Sequence, residues 1–295
     1  MAQPREWVEA PPVTPLPFGL FSAAVVVDDL TGHAQMGTQY EPVACGDVHE
    51  TRAACQEEAA AFSLDPEDGQ VHTGVPLVYG DPFTLFSMFT CNVVGVGPER
   101  LRALAGESLR TGESRGGERA LADRLPLAAG AVDLTNGGAA VHVIEGLAAL
   151  EEWAAANYGG VPTIHVPRGI GTLMGSLGGH QRVGNHLETR QGALVASGGG
   201  YSNLSGPPTD TEDPENTIQP PQTGEAWIYV TGTVVLRRAP QPDATPVIMS
   251  RVTDGDSLAA TNDGTVLASR AYVASWECIT AAVKVSRAFS GPVVG

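Results

Sequence analysis

The chain has 295 residues, of which 42% are hydrophobic and 17% charged. This is enough for one large domain or two ordinary ones with a hydrophobic core. Thirty-three acidic residues against 17 basic ones give a net charge of −16, and that balance argues against a protein that grips nucleic acid through a basic surface. Sixteen of the bases are arginines and the other is Lys284, so lysine-dependent chemistry is confined to one position.

The sequence has no sign of secretion or membrane insertion. Its first residues lack the basic and then apolar pattern of a signal peptide, and no apolar run reaches the roughly 18 residues of a membrane helix. Cys45, Cys55, Cys91 and Cys278 form no CxxC pair, and four cysteines in a chain this long do not make a disulfide framework. We expect all four to be reduced packing residues, and the chain to fold in the cytoplasm.

The N-terminal part of the chain predicts an arm, two strands and a long excursion between them. Five prolines in residues 1–18 indicate an extended arm, because proline lacks the amide donor that a helix needs. Residues 18–27 read as a strand. Residues 29–82 form a polar excursion with turn signals, in which 51–62 could be a short helix. Residues 83–96 return as a strand whose apolar positions alternate with one slip.

A long charged helix follows over residues 97–125. Pro98 is a favoured first helical residue, and Pro126 ends the pattern. We expect the helix to bend or break near Gly112 and Gly116, because glycine weakens a helix interior.

The rest of the chain alternates helices and strands. The predicted elements are an amphipathic helix at 141–157, a short strand at 163–166, a short helix at 168–177, a surface loop at 178–224, a strand pair or one strand bulged at Gly232 over 226–237, and two strands within 266–287.

The familiar catalytic motifs are absent. No phosphate loop exists around Lys284. The run Gly169-Ile-Gly-Thr-Leu-Met-Gly175 places its third glycine one residue too late for a dinucleotide fingerprint. The surroundings of Ser176 and Ser202 break the nucleophile-elbow pattern, so neither serine is predicted to be a nucleophile.

The histidines and acidic pairs have simpler interpretations than metal binding. His180 and His186 lack acid or cysteine partners at ligand spacing. His165, inside a strand pattern, is interpreted as a hydrogen-bonded structural residue. The acidic pairs at Asp28–Asp29 and 254–256 are interpreted as solvated turns. The sequence therefore predicts no catalytic residue, no cofactor and no metal.

The order of the elements resembles that of the major capsid proteins of tailed bacteriophages, the Hong Kong 97 family. Residues 146–235 carry most of the resemblance. Within them, 161–174 is similar to the strand and helix of the family's axial domain. Residues 187–197 look like its strand of glycine, apolar pair and serine, and 227–236 look like its later axial strand. The matching motifs are short, whereas the element order covers most of the chain.

The resemblance implies an α+β fold of the Hong Kong 97 type, with the chain divided among five parts. These are an N-terminal arm (1–18), an extended loop that reaches over the adjacent subunit (29–82), a spine helix (97–125), a peripheral domain that includes this helix (19–28, 83–135 and 240–290), and an axial domain that points toward pentamer and hexamer centres (136–239).

The resemblance further implies a non-enzymatic protein that self-assembles into an icosahedral shell around double-stranded DNA. The shell would be a virion capsid assembled in the host cytoplasm, with separate scaffolding, portal and decoration proteins as further candidate partners. Because the chain begins at Met1, we expect no N-terminal scaffold segment to be removed. Some relatives join a loop lysine to a neighbour's asparagine, and residues 29–82 contain no lysine for this. The candidate intersubunit contacts are Trp7, Phe18, Tyr40, Arg100, Arg102, Arg110, Glu113, Arg115, Glu118 and Arg119.

Other functions stay open at this point. A tail, neck or decoration protein belongs to the same structural class, and an encapsulin-like compartment shares the fold but packages an enzyme. An α/β hydrolase would need His165 beside Asp133 or Glu188 and beside Ser176 or Ser202. A carbohydrate-binding module is a further alternative, although the four tryptophans are scattered along the chain.

Overall fold

The computed structural model describes residues 11, 13–45, 77–92, 97–244, 248–250 and 263–287. The helices are α1 (Leu20–Ala23), α2 (Pro98–Ala122), α3 (Val143–Asn157) and α4 (Arg168–Ser176), with 3-10 turns at Gly32–Met36, Leu125–Leu127 and Gly200–Asn203. The strands are β1 (Val25–Val27), β2 (Thr38–Tyr40), β3 (Val78–Asn92), β4 (Val132–Asp133), β5 (Thr163–Pro167), β6 (His180–Val183), β7 (His186–Thr189), β8 (Leu194–Gly198), β9 (Glu225–Thr231), β10 (Val234–Arg238), β11 (Asp243–Ala244), β12 (Ile248–Ser250), β13 (Asp263–Trp276) and β14 (Thr280–Ser286).

The strands form two seven-stranded sheets with helices packed on them. The first sheet has the order β1-β10-β13-β3-β2, with β11 and β12 also paired to β13, and the second has the order β4-β14-β9-β5-β8-β7-β6. Helix α2 packs on β3 and β13, whereas α3 and α4 pack on the second sheet. Most strand pairs are antiparallel. This arrangement confirms the predicted α+β class.

Two strand connections cross between the sheets at one place. β9 leads through Gly232 and Thr233 into β10 of the first sheet, and β13 leads through Glu277 into β14 of the second. The Glu277 amide donates to the Thr233 carbonyl at 3.2 Å, and the Gly232 amide donates to the Ile279 carbonyl at 3.3 Å. A β-carbon at Gly232 would lie 2.3 Å from the Glu277 carbonyl oxygen, so this close approach requires glycine.

These crossings differ from the predicted grouping of residues 136–239 and 240–290. The predicted pair over 226–237 is two strands that belong to different sheets, because β10 pairs with β1 and β13. β14 likewise pairs with β9 and β4 instead of with the first sheet. The local alternation of apolar residues is the same on either side of each crossing, so it does not reveal the change of sheet.

Helix α2 is continuous over 25 residues, without the break expected at its glycines. Pro98 occupies the first turn as predicted. A β-carbon at Gly116 would lie 3.0 Å from a Leu85 methyl group, and one at Gly117 would lie 3.1 Å from the Phe21 ring. Gly116 and Gly117 therefore admit neighbouring side chains to the helix surface, and this packing offsets their low helix propensity, whereas a β-carbon at Gly112 would meet nothing within 4 Å.

Residues 18–27 are a turn of helix and a short strand instead of the single predicted strand. Phe18 has a φ of 67°, which turns the chain just before α1. The Leu20 amide at the start of α1 donates to the Glu118 carboxylate at 3.2 Å. This distant carboxylate satisfies a helix-terminal amide that the local sequence leaves unpaired.

Residues 178–224 contain three strands, β6 to β8, where the sequence predicted a surface loop. Gly184, between β6 and β7, has a φ of 60°, and Gly192, before β8, has a φ of 94°. The glycines supply turns between short strands, so their density marks tight connections and not one long loop.

Two cysteines are bonded, which corrects the prediction that all four are reduced. Cys45 and Cys278 form a disulfide with a Cα–Cα distance of 5.9 Å, across a sequence separation of 233. Residue spacing could not indicate this pairing, because it depends on where β2 and β13 lie in the first sheet. Cys55 lies outside the described residues.

The predicted excursion over 29–82 is described only at its two ends. Leu30 is buried, and β2 pairs antiparallel with the start of β3, so Tyr40 lies opposite Val78. The short helix predicted at 51–62 lies outside the described residues. Among the helices that the structure describes, none combines the length and the apolar character needed to cross a membrane.

Two adjacent glycines, Gly199 and Gly200, follow β8, and one of them contacts Glu118 of α2. One of its carboxylate oxygens accepts from the Gly200 amide at 2.8 Å, and the side chain is 2% exposed. A β-carbon at Gly200 would lie 2.5 Å from both the Arg115 carbonyl oxygen and Glu118 Cβ, whereas one at Gly199 would meet nothing within 4 Å. Only Gly200 lies against the helix backbone.

The contrast predicts opposite outcomes for two neighbouring substitutions. Gly200→Ala should lower the free energy of unfolding by about 3 kcal/mol, because backbone must shift to make room for the methyl group. Gly199→Ala should change it by less than about 0.5 kcal/mol. Chemical denaturation monitored by circular dichroism measures both, and equal effects at the two positions would contradict the close packing of α2 on this turn.

Candidate intersubunit surfaces

The outer face of the first sheet carries large apolar side chains. Residues of β3 point alternately to the two sides, and Leu85 and Phe89 pack against α2. On the opposite face, Phe86 is 67% exposed and Met88 is 62% exposed. The structure therefore has no slip in the alternation of this strand, because Phe89 points inward and Met88 outward.

The exposed face continues onto β13. Ser269 lies directly opposite Phe86, and Leu267 lies opposite Met88. Side chains opposite each other in an antiparallel pair point to the same face, so Leu267 joins the apolar strip. A contiguous exposed apolar strip is typical of a contact surface. The sequence signal for it is that β3 has apolar residues at both odd and even positions, although α2 covers only one face.

Three arginines of the spine helix make no ion pair among the residues that the structure describes. Arg115 and Arg119 are exposed and one helical turn apart, and Arg100 is half-buried at the start of α2. They remain candidates for contact with a neighbouring molecule. An arginine fork suits bidentate contact with a carboxylate.

Two other arginines of α2 are paired within the helix. Arg102 pairs with Glu99, and Arg110 pairs with Glu107, in both cases three residues apart. Exposed pairs of this kind contribute between zero and about 1 kcal/mol. Arg110 also donates to the Val13 carbonyl at 3.4 Å, so it holds part of the arm on its own subunit.

Glu113 and Glu118 point into the subunit. Glu113 pairs with Arg270 at 3.1 Å and with Arg238 at 3.5 Å. Both glutamates are less than one-tenth exposed. Partners from α1, β10, β13 and the turn at Gly200 thus contact both carboxylates within the chain, and a contact of either glutamate with a neighbouring molecule stays a prediction.

Asp28 joins the ionic network of Glu113 through shared arginines, whereas Asp29 forms a separate pair, and both aspartate side chains are about half exposed. Asp28 contacts Arg238 and Arg270, and Asp29 pairs with Arg237. The hydrogen bond from Arg238 lowers the pKa of Asp28, although burial opposes this slightly. The network links the end of β1 to β10, β13 and α2.

The remaining candidate contacts lie near the arm and the sheet edge. Phe18 is half-buried with the Arg182 guanidinium 5.2 Å from its ring centroid, and its carbonyl accepts from the Ser197 amide at 2.8 Å. Arg168 donates to the Pro17 carbonyl at 2.9 Å. Tyr40 is half-buried in β2, and burial raises its pKa. Trp7 lies outside the described residues.

His165 is a structural residue, as the sequence predicted. It is fully buried, and its two ring nitrogens lie 2.9 Å from the Tyr201 hydroxyl and 3.0 Å from the Thr231 hydroxyl. Burial lowers its pKa from the ordinary 6.5 to about 3. Neither ring nitrogen contacts a carboxylate or a serine.

The other members of the suggested hydrolase site have separate partners. Ser176 donates to the Leu173 carbonyl, Glu188 pairs with His186, and Asp133 accepts from Thr135. His180 contacts the Gly171 carbonyl. Across the described ranges, no group of three or more histidine, cysteine or acidic side chains could hold a metal ion. The structure does not assemble the acid–base–nucleophile arrangement that a hydrolase needs.

No protein-family model and no curated protein matches the sequence. Solved structures do match its fold. The capsid of Ralstonia phage GP4 superposes with a TM-score of 0.50 at 8% identity, covering 98% of this chain and 97% of that chain. A structure from Mycobacterium phage Adephagia has a TM-score of 0.48 at 11% identity, covering 98% and 96%. The head of Helicobacter pylori bacteriophage KHP40 has a TM-score of 0.47 at 10% identity, covering 97% and 96%.

The match to the Ralstonia phage capsid extends over nearly the whole of both chains. At such low identity it shows the fold alone. The fold is the Hong Kong 97 type of tailed-phage capsid proteins, which confirms the resemblance drawn from the order of elements.

The buried state of His165 predicts a specific loss of stability in acid. Below pH 6.5 the unfolded chain binds a proton at this ring, whereas the folded chain does not until about pH 3. The free energy of unfolding therefore falls as the pH decreases through this window. From pH 6.5 to pH 5, native protein should lose about 1.6 kcal/mol more than His165→Gln, in which the carboxylates are unchanged.

Denaturation at the two pH values measures this difference. The imidazole resonances of His165 provide an independent reading in the folded native protein, and they should stay those of a neutral ring at pH 5. A ring that titrates near pH 6.5 would contradict the prediction.

Proposed function

We propose that this chain is the subunit of an icosahedral viral capsid that encloses double-stranded DNA. The observation that carries the proposal is the capsid fold, which matches a solved phage capsid over 98% of the chain. A capsid protein acts by contacting copies of itself, and closed symmetry repeats each contact in every subunit. The candidate partners are therefore the other subunits of pentamers and hexamers, with scaffolding, portal and decoration proteins as additional ones.

The outer strip of Phe86, Met88 and Leu267 is the surface that we assign to a neighbouring subunit. Each large apolar side chain gains about 1.5–3 kcal/mol when it moves from water into a packed interface. Phe86 and Met88 are exposed in one subunit, and Leu267 beside them is half-buried, so the gain from Phe86 and Met88 is available only through a second molecule. Arg115 and Arg119, on α2 against the other side of the same sheet, would contact acidic groups of a further copy.

Two strands must change domain if the predicted domains are to agree with the two sheets. We assign β10 to the peripheral domain together with β1, β3 and β13. We assign β14 to the axial domain together with β5 and β9. The arm (1–18), the spine helix (α2) and the extended loop (29–82) keep the assignments that the resemblance implies.

The net negative charge of the chain is more consistent with a shell protein than with a protein that binds DNA tightly. A net charge of −16 favours solubility of the free subunit and does not favour tight contact with phosphates. We infer that the DNA is held by enclosure, in a virion assembled in the host cytoplasm. We also infer that the protein has no enzymatic activity.

Stability of the shell would come from non-covalent contacts between subunits. A lysine–asparagine cross-link needs a free amine as nucleophile. The only lysine, Lys284, lies half-buried on β14, with its Nζ atom 5.7 Å from the centroid of the Trp227 ring. That position in the second sheet is far in sequence from the loop where relatives carry the reactive lysine.

Substitutions on the two faces of β3 distinguish an effect on assembly from an effect on folding. Native protein should form megadalton particles in size-exclusion chromatography and closed shells in negative-stain microscopy. The double variant Phe86→Ser with Met88→Ser should remain small, because it removes the strip, and should keep the native circular dichroism and unfolding midpoint. Leu85→Ala, one residue away on the inner face, should instead lower the free energy of unfolding by about 2 kcal/mol.

The outcomes distinguish the proposals. Native protein that stays a 30 kDa monomer under all conditions would overturn the capsid function, and tubes would favour a tail protein. Particles from the double variant that equal those of native protein would leave the function intact but overturn the assignment of the strip.

The absence of cross-links can be tested on the assembled particles. Boiled in detergent with reductant, they should give a single band near 30.6 kDa, because no amine is placed to form an isopeptide bond. A ladder of covalent dimers, pentamers and hexamers on the gel would show that Lys284 or another group reacts between subunits.

A further inference from the structure

The disulfide lies at the place where the chain crosses between the two sheets. Cys278 is in the connection from β13 to β14, directly after Glu277. Cys45 is in the segment that follows β2, at the start of the undescribed residues 46–76. The bond therefore joins the root of the excursion after β2 to the double crossing, although the two cysteines are 233 residues apart.

Hydrogen bonds near the disulfide connect the segment after β2, the end of α3 and the two connections between the sheets. The Gly159 amide donates to the Ala44 carbonyl at 3.1 Å, which attaches the root of the excursion to the end of α3. The Tyr158 hydroxyl donates to the Glu277 carboxylate and accepts from the Thr233 amide at 3.0 Å. We refer to residues 44–45, 158–159, 232–233 and 277–279 as the crossover cluster.

Cys278 has two properties that make the bond responsive to its surroundings. It is exposed to solvent, so small thiols and disulfides can reach its sulfur. It also has a φ of 39°, in the left-handed region that residues other than glycine rarely adopt. The covalent bond to Cys45 helps to hold this backbone conformation, and its loss lets the connection relax.

We propose that the Cys45–Cys278 disulfide is a redox-operated clip that fixes the crossover cluster. The two thiols lose two protons and two electrons as the S–S bond forms, and a low-molecular-weight disulfide such as oxidised glutathione takes them up to become two thiols. In a reducing cytoplasm the clip is open, and it closes when the protein reaches an oxidising medium. The inference goes beyond the proposed function and does not depend on assembly.

The closed clip restricts two connections at once. It holds Ala44 against Gly159, and it holds the Glu277 connection beside Thr233. Because both crossings pass through this cluster, opening the bond should loosen the junction between the sheets while leaving each sheet paired. The effect is local and differs from a general loss of stability.

The state of the clip can be counted by alkylation. After incubation with oxidised glutathione and then denaturation, native protein should bind alkylating reagent at two of its four cysteines, and at all four after reduction. A peptide pair joined through Cys45 and Cys278 should appear in the unreduced digest. Four reactive thiols after oxidation would overturn the proposal.

Amide hydrogen exchange measures what the clip does. Reduction of native protein should speed the exchange of the Gly159, Gly232 and Glu277 amides by about tenfold, with little change in β5 and β9. Cys45→Ser should exchange at the fast rate with or without reductant. Cys91→Ser removes a cysteine outside the pair and should respond to reductant as native protein does.

The result on native protein needs no substitution, so it stands even if Cys45→Ser fails to fold. Exchange at these three amides that is the same before and after reduction would overturn the clip. Faster exchange throughout both sheets would also overturn it, because the disulfide would then support the whole fold and not this junction.

Discussion

The structure depends on a double crossing in which two strand connections pass between its sheets side by side. Gly232 and Glu277 approach so closely there that no side chain fits at position 232. Because β9 leads into β10 and β13 leads into β14, neither sheet can form completely without residues from the same two stretches. A buried cluster that includes Trp227, Val234 and Ala274 fills the space between the sheets. The crossing thus makes one cooperative unit of two sheets.

The spine helix is attached to this unit through buried carboxylates. Glu118 accepts hydrogen bonds from the amides of Leu20 and Gly200, and Glu113 pairs with Arg238 and Arg270. Buried carboxylates are stable only with such partners. The helix therefore directs these acidic groups into its own chain, whereas Arg115 and Arg119 lie on its exposed side, where we propose that they contact other molecules.

Several buried polar side chains have partners within the chain, whereas the apolar side chains on the outer face of the first sheet are exposed. His165 and the two glutamates have partners within the chain, whereas Phe86 and Met88 are left to solvent. The disulfide adds a covalent restraint at the junction and not at the outer face.

The sequence by itself determined the elements that local patterns specify. Pro98 and helical spacing predicted α2, the apolar stripe after Val143 predicted α3, and the apolar run around His165 predicted β5, and their order was sufficient for the fold class. Only the tertiary structure decided which sheet each strand joined, that Glu118 faces inward, that β6 to β8 are strands, and that Cys45 meets Cys278. These features depend on partners far along the chain, such as Leu20 and Glu118, which have a sequence separation of 98. Periodicity and turn residues record the conformation of a segment, but not the distant group that it contacts.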